Sequence, residues 1–399
     1  MRHICLSLLV LSLLFSLAAC GSPPVSRSGS ASAESAVSVP AASASSSAPA
    51  ESDAPLTNAQ RAAALMDGWT LEEKVGQLFF VRCPESGAAQ DVAAFHLGGV
   101  LLFGRDFRDL TANEIIQTLN AYQEAARSDT AVPLLLGTDE EGGVVVRLSS
   151  NPAICKSPFR SPQRLLSDGG MEEIVRETHE KDVLLKALGL NVNFAPVADV
   201  STDPSDFIYP RTIGQDAAGT SSYVSSVVET MSGDGMGSVL KHFPGYGNNA
   251  DTHTGSAVDS RPLTTFESSD FLPFSAGFEA GGGTGRTAVL VCHNVVQSMD
   301  SDLPASLSPR VHALLRDQLG FDGVVMTDDL AMDAVKAYDK GGAAAVLALQ
   351  AGNDMVLTTD YQTQIPAVIG AVQGGTLSES MIDTACVRVL CWKMALGLL

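Results

Sequence analysis

Positive charge is what this chain has least of. Its 25 lysines and arginines stand against 45 aspartates and glutamates, a formal net charge of −20. A field of that sign repels nucleic acid and offers no basic patch to a phosphate backbone, so nucleic acid is excluded as a partner. Cysteine is sparse too. Of seven, Cys5 and Cys20 fall in the N-terminal leader, and Cys83, Cys155, Cys292, Cys386 and Cys391 remain, an odd number with no C-x-x-C spacing. Neither a disulfide framework nor a zinc site is indicated, and no metal or other cofactor is expected. There are only two tryptophans, Trp69 and Trp392, and neither closes an expected strand, so both read as packing residues. No short internal repeat is evident, and nothing in the sequence sets an oligomeric state.

A membrane-spanning run is missing as well. The apolar stretch Ile4 to Leu17, preceded by Arg2 and His3, is too short for a stable anchor helix and reads as a targeting segment. It ends in Leu17-Ala18-Ala19-Cys20-Gly21, which resembles a bacterial lipobox. Residues 1–19 are then expected to be a lipoprotein signal peptide, with Cys20 carrying a diacylglycerol that anchors the chain to the outer face of the cell membrane. Residues 20–55, rich in Ser, Ala and Pro, cannot bury a core and read as a tether spanning about 30–35 Å.

What is present begins at Leu56. Residues 56–399 alternate short apolar runs with amphipathic stretches. Strands are expected at Leu78–Val81, Gly99–Phe103, Pro133–Thr138, Asn191–Val197, Ser238–His242, Ala288–His293, Gly323–Thr327 and Asp354–Leu357. Helices are expected at Ala112–Ser128, Met171–Leu188, Ser221–Gly233, Pro309–Leu319 and Gly342–Ala351. Thr70 with Glu73 and Thr111 with Glu114 have the spacing of capping boxes. Strands that are apolar throughout and alternate with helices imply a parallel sheet covered on both faces. Eight such units fit a (β/α)8 barrel better than an open doubly wound sheet.

A barrel places chemistry at the carboxyl ends of its strands, and ionisable residues collect there. Asp139 closes the third strand and Asp199 follows the fourth. Lys241 and His242 end the fifth, His293 the sixth, and Asp328 and Asp329 follow the seventh. The loop after strand five adds Asp251 and His253, the only Asp-x-His in the chain. Asp328 offers a carboxylate nucleophile, and Asp329 is placed to cap or orient the next helix. A free imidazole titrates near ~6.5, and a carboxylate beside one favours its charged form. Asp251 and His253 therefore suit a proton donor that later acts as base. Gly245, Gly247 and Gly255 make this loop permissive enough to close over a substrate.

Several segments, in order, resemble glycoside hydrolase family 3, in its β-N-acetylhexosaminidase branch. They are Thr70-Leu-Glu-Glu-Lys-Val-Gly-Gln-Leu, Thr138-Asp-Glu-Glu-Gly-Gly-Val-Val-Val-Arg-Leu148, Asn193-Phe-Ala-Pro-Val-Ala-Asp-Val, Arg211-Thr-Ile-Gly, Lys241–Gly247 with Asp251-x-His253, and Thr327-Asp-Asp-Leu. The resemblance implies a retaining, exo-acting β-N-acetylglucosaminidase that removes terminal GlcNAc from muropeptides or related glycosides through a glycosyl-Asp328 intermediate. His253 is then the general acid/base and Asp251 its partner. The resemblance also implies that Asp139, Arg147, Arg211, Lys241 and His242 hold the sugar. Asp199 divides between substrate contact and strand-end support, and His293 leans towards support.

Four departures from the family pattern stand out. Tyr246 replaces a histidine, Asn248 stands in place of an aspartate, the Asp-x-His pair arrives one residue early, and Val144 replaces an arginine, with altered packing behind the substrate as the expectation. Many relatives append a second domain that can supply the acid/base. This sequence stops just after its last helix, which favours the His253 loop. The alternatives are a GlcNAc phosphorylase or β-glucosidase of the same family, or a non-catalytic sugar-binding lipoprotein.

Overall fold

A computed structural model describes residues 56–253, 255–283 and 285–399. The signal peptide, Cys20 and the tether lie outside the described residues. Eight strands run parallel: β1 (Phe79–Arg82), β2 (Gly99–Leu102), β3 (Leu135–Thr138), β4 (Val192–Asn193), β5 (Gly237–Phe243), β6 (Thr287–Val291), β7 (Val325–Thr327) and β8 (Val356–Thr358). Neighbours pair in chain order, and β8 returns to β1, with Phe79 opposite Val356. A parallel bridge between Met326 and Met355 joins β7 to the start of β8 and closes the ring. This is the expected (β/α)8 barrel.

Local chemistry accounts for the elements. Both capping boxes form: Glu73 N–H donates to Thr70 Oγ1 at 3.2 Å while the Glu73 carboxylate takes Thr70 N–H at 2.7 Å. Thr111 and Glu114 repeat the exchange at the start of Ala112–Asp129. The helix expected from Met171 is the second half of a longer one, Pro162–Ala187, interrupted at Gly169 and Gly170. The Pro309 helix is regular to Ala313 and then widens into a π turn, Leu314–Gln318. The fourth strand is much shorter than its apolar run suggests. Pro196 has no N–H to give to a ladder, so regular pairing stops at Asn193, and only Val197 bridges onward to Lys241.

The barrel interior is filled by side chains, with Phe80 of β1 packed edge-on against Phe194 at 5.1 Å. The last helix, Glu379–Ala395, meets residues that precede strands: its Arg388 pairs with Asp354, just before β8, at 3.0 Å. Its Trp392 is buried and donates to the carbonyl of Arg286, the residue before β6, at 2.9 Å. Trp392 is thus a packing residue, as expected. The five cysteines are free thiols, with Cys83, Cys292 and Cys386 buried. Among the described residues, no helix is long and apolar enough to cross a membrane.

Candidate active site

The carboxyl ends of the strands surround a cavity of about 490 Å³, well within the size range of small-molecule sites. All five expected sugar-holding residues line it, together with His253 and Asp328. Asp251 stands behind His253.

One wall is a dense ionic cluster. Lys241, 2% exposed at the end of β5, reaches Asp139 at 2.7 Å and Glu141 at 2.6 Å. Arg211, on the 3-10 turn after β4, grips Glu141 with two bonds of 2.9 and 2.7 Å. Burial pushes the Glu141 carboxyl up, but the Arg211 and Lys241 charges outweigh it and hold the group well below the usual carboxylate range. Burial likewise disfavours the Arg211 cation, and Glu141 more than restores it. Two cations and two carboxylates thus form one connected ionic set in which each charge has a partner of opposite sign. Arg147 stands at the edge of the cluster, 3.9 Å from Asp139 and 5.2 Å from the centre of the Phe103 ring.

His242 connects this cluster to the barrel. Its Nδ1 lies 2.7 Å from Asp199 and its Nε2 lies 3.0 Å from Arg211 Nη2. A guanidinium only donates, so Nε2 accepts and Nδ1–H points at the carboxylate. Asp199 also takes the backbone N–H groups of His242 and Tyr246, at 3.1 and 2.7 Å. Asp199 is therefore a buried support for the strand end.

Asp328 faces this wall from β7. Its backbone N–H donates to the Val291 carbonyl of β6 at 2.9 Å, and its Oδ1 takes the Asp329 N–H at 2.9 Å. Burial pushes its carboxyl up. The imidazoles of His293 and His242, with the Asp329 amide, outweigh burial and hold it below the ordinary aspartate value. The second aspartate caps no helix, against expectation. Asp329 binds Ala331 N–H at 2.9 Å, and Thr359 through both its N–H and its hydroxyl at 3.1 and 2.9 Å. It staples the β7 loop to the β8 loop. His293 is buried beneath, its Nδ1 2.7 Å from Ser306 Oγ and its Nε2 3.1 Å from the Asp329 carbonyl. Burial lowers its pKa, and its role is support.

The dyad also forms. His253 Nδ1 lies 2.7 Å from Asp251 Oδ1, which also accepts the His253 backbone N–H at 2.9 Å. This leaves Nε2 for the cavity. Most of the His253 side chain (60%) is exposed.

The glycines before the dyad serve close packing rather than looseness. A Cβ on Gly245 (φ +126°) would lie 2.4 Å from Asp270 Oδ1, and one on Gly247 (φ +54°) 2.4 Å from the Arg261 guanidinium carbon. Arg261 binds Asp270 at 2.9 Å, Asp259 at 2.8 Å and the Gly245 carbonyl at 3.1 Å, fixing this half of the loop. Val144 packs nothing behind a substrate: it is 67% exposed.

Two site residues escaped the sequence reading. Glu141 lies two positions past Asp139 in the quoted acidic segment, but its partners come from β5 and the turn after β4. Arg82 had a plainer signal, since it is the first charged residue after the apolar run of β1. It lines the cavity with its guanidinium 4.2 Å from the centre of the Phe103 ring.

A (β/α)8 barrel with carboxylates, cations and a supported imidazole around one polar cavity defines a hydrolase-type site for a small polar substrate. The model of the glycosyl hydrolase family 3 N-terminal domain matches residues 70–391. The chain belongs to that family, within its β-hexosaminidase branch, and is a glycoside hydrolase. It is 32% identical over 334 residues to the β-hexosaminidase LpqI of Mycobacterium tuberculosis, covering 80% of this chain and 82% of that one. Identity to a β-hexosaminidase of Xanthomonas campestris is 33% over 308 residues, covering 75% of this chain and 87% of the relative. Among solved structures, the family 3 β-N-acetylglucosaminidase of Paenibacillus sp. FPU-7 superposes with a TM-score of 0.76 at 30% identity, covering 83% of this chain. The chain spans 63% of the length of that structure. The structure of M. tuberculosis LpqI gives 0.72 at 29% identity, covering 82% of this chain and 95% of that one.

Proposed function

We propose that the chain is a retaining, exo-acting β-N-acetylglucosaminidase. The observation that carries this reading is that Asp328 and the Asp251-bonded His253 line the same cavity as Lys241, Asp139 and Arg211. Asp328 attacks the anomeric carbon while protonated His253 gives its Nε2 proton to the departing glycosidic oxygen. The glycosidic C–O bond breaks and a glycosyl ester to Asp328 forms. Neutral His253 then takes a proton from water, whose oxygen attacks the same carbon and frees the Asp328 carboxylate. Asp251 keeps the imidazole in one tautomer through both steps and stabilises its charged form.

Asp139, Arg147, Arg211, Lys241 and His242 hold the sugar. An aspartate accepts from hydroxyls, and the cations donate to ring substituents. The GlcNAc preference rests on likeness to β-hexosaminidases and β-N-acetylglucosaminidases. Peptidoglycan fragments are the proposed natural source. The Leu17–Cys20 segment supports an extracytoplasmic lipoprotein anchored through Cys20.

The test is release of para-nitrophenol from its β-GlcNAc glycoside against the β-glucoside, with and without phosphate. Fast hydrolysis of the GlcNAc glycoside, independent of phosphate, is expected. A phosphate requirement with a sugar 1-phosphate as product would make the enzyme a phosphorylase. Preference for the glucoside would make it a β-glucosidase.

A further inference from the structure

The dyad turn has one buried residue. Thr252 is 0% exposed, although Asp251 is half-buried and His253 is exposed. A threonine between two polar loop residues has no reason of its own to be buried. What it meets is Tyr246, whose hydroxyl is hydrogen-bonded to Thr252 Oγ1.

Tyr246 is in turn held on every side. Its N–H donates to Asp199 at 2.7 Å. Its ring lies edge-on to His242, with centroids 5.3 Å apart and planes at 82°. It packs with Val197, Ile208 and Cys292 in a small apolar cluster apart from the main core. The phenol therefore projects from a body that also fixes His242, and it ends at the residue between the dyad's two members.

We propose that Tyr246 and Thr252 form a pin that sets the position of the Asp251–His253 dyad relative to the buried wall of the site. Tyr246 is a positioning residue: it acts through Thr252 on His253. The proposal rests on the reading of His253 as acid/base. The pin ties the middle of the turn that carries the proton donor to the buried residues that also hold His242. The turn stays exposed enough to admit a substrate, while its central residue cannot drift. A side chain shorter than tyrosine at position 246 would leave Thr252 without this partner.

Tyr246→Phe and Thr252→Val test the pin, since each keeps the packing volume and removes one hydroxyl. Each is expected to lower kcat about three- to tenfold, the range of one ordinary hydrogen bond, on an alkyl or disaccharide GlcNAc glycoside. The loss on an activated aryl glycoside should be smaller, and KM should hold. Their combination should lose no more than either alone, and Thr252→Ser should restore the native pattern. Hydrogen exchange across residues 247–258 should quicken in Tyr246→Phe and Thr252→Val but not in Thr252→Ser. Unchanged exchange, additive losses, or equal losses on both glycosides while His253→Ala still discriminates between them would overturn the pin. If His253→Ala itself fails to discriminate, the acid/base reading falls, and exchange alone decides whether the pin exists.

Discussion

The two sides of the cavity are built on opposite principles. On the Lys241 side, the charged groups are buried or half-buried and answered by one another, and Lys241, Arg211, Glu141 and Asp139 form one connected set. On the dyad side, His253 is mostly exposed and its partner Asp251 comes from the same turn. Groups that must only hold a sugar gain from being fixed in advance, since no reorganisation is then needed when substrate arrives. A group that must donate a proton, retreat and take one from water gains from access to solvent. On the function proposed above, the site combines a pre-organised cradle with a proton donor on a loop whose first half is held by Arg261.

Breaking the cradle's opposing carboxylate should have the largest effect. Asp328→Asn keeps the shape of the residue and removes its nucleophilic charge. Its kcat should fall on the order of 10⁴-fold or more, with the fold intact by circular dichroism. A slow-hydrolysing fluorosugar should label Asp328 as seen by peptide mass mapping. A label on another residue would transfer the nucleophile's role there.

Glu141→Gln breaks the cradle itself. Arg211 loses its bidentate partner, and Lys241 keeps only Asp139. Removing one partner of a buried ion set costs about 3–5 kcal/mol of stability. Measured by urea unfolding, a loss of that order is expected, along with a raised KM. The pH dependence follows from the lowered Glu141 pKa. Its contribution is fully present above the unfolded-state carboxylate value and is lost as pH falls towards the folded-state value. The gap between native and Glu141→Gln should therefore be widest at neutral pH and close in acid. A gap that stays constant with pH would mean that charge is not what Glu141 supplies.

The same contrast explains what could be read from the sequence. Lys241 and Asp328 were visible because each breaks off an apolar run at the end of a barrel strand, whereas Arg147 and Arg211 came only with the family resemblance. Glu141 was not visible, because its importance lies in pairing with Arg211, seventy positions away, and with Lys241. The extent of β4 was misread because apolar residues continue past the point where Pro196 ends regular pairing. The dyad was legible as a spacing, but its anchorage was not. The roles of Gly245 and Gly247 depend on Asp270 and Arg261, residues that sequence alone does not place beneath them.

On the exposed side, His253→Ala should cost about 10²- to 10⁴-fold on glycosides with poor leaving groups and far less on activated aryl glycosides, which need little protonation. Steady-state kinetics over a series of leaving groups would show this as a steeper dependence on leaving-group acidity. Parallel losses across the series would reduce His253 to a binding or structural residue.

Asp251→Ala should have a smaller effect than His253→Ala. Its carboxylate is partly exposed and accepts from His253 twice, once from the side chain and once from the backbone. Without it, the imidazole remains and the Tyr246–Thr252 contact still holds the middle of the turn. What is lost is control of the ring's orientation and support for its charged form. The expected result is a fainter copy of the His253→Ala pattern, about tenfold on poor leaving groups, the scale of one charge-assisted hydrogen bond. A loss as large as that of His253→Ala would mean that Asp251 does more than orient and support the ring, and the exposed side of the cavity would then be as tightly interdependent as the buried one.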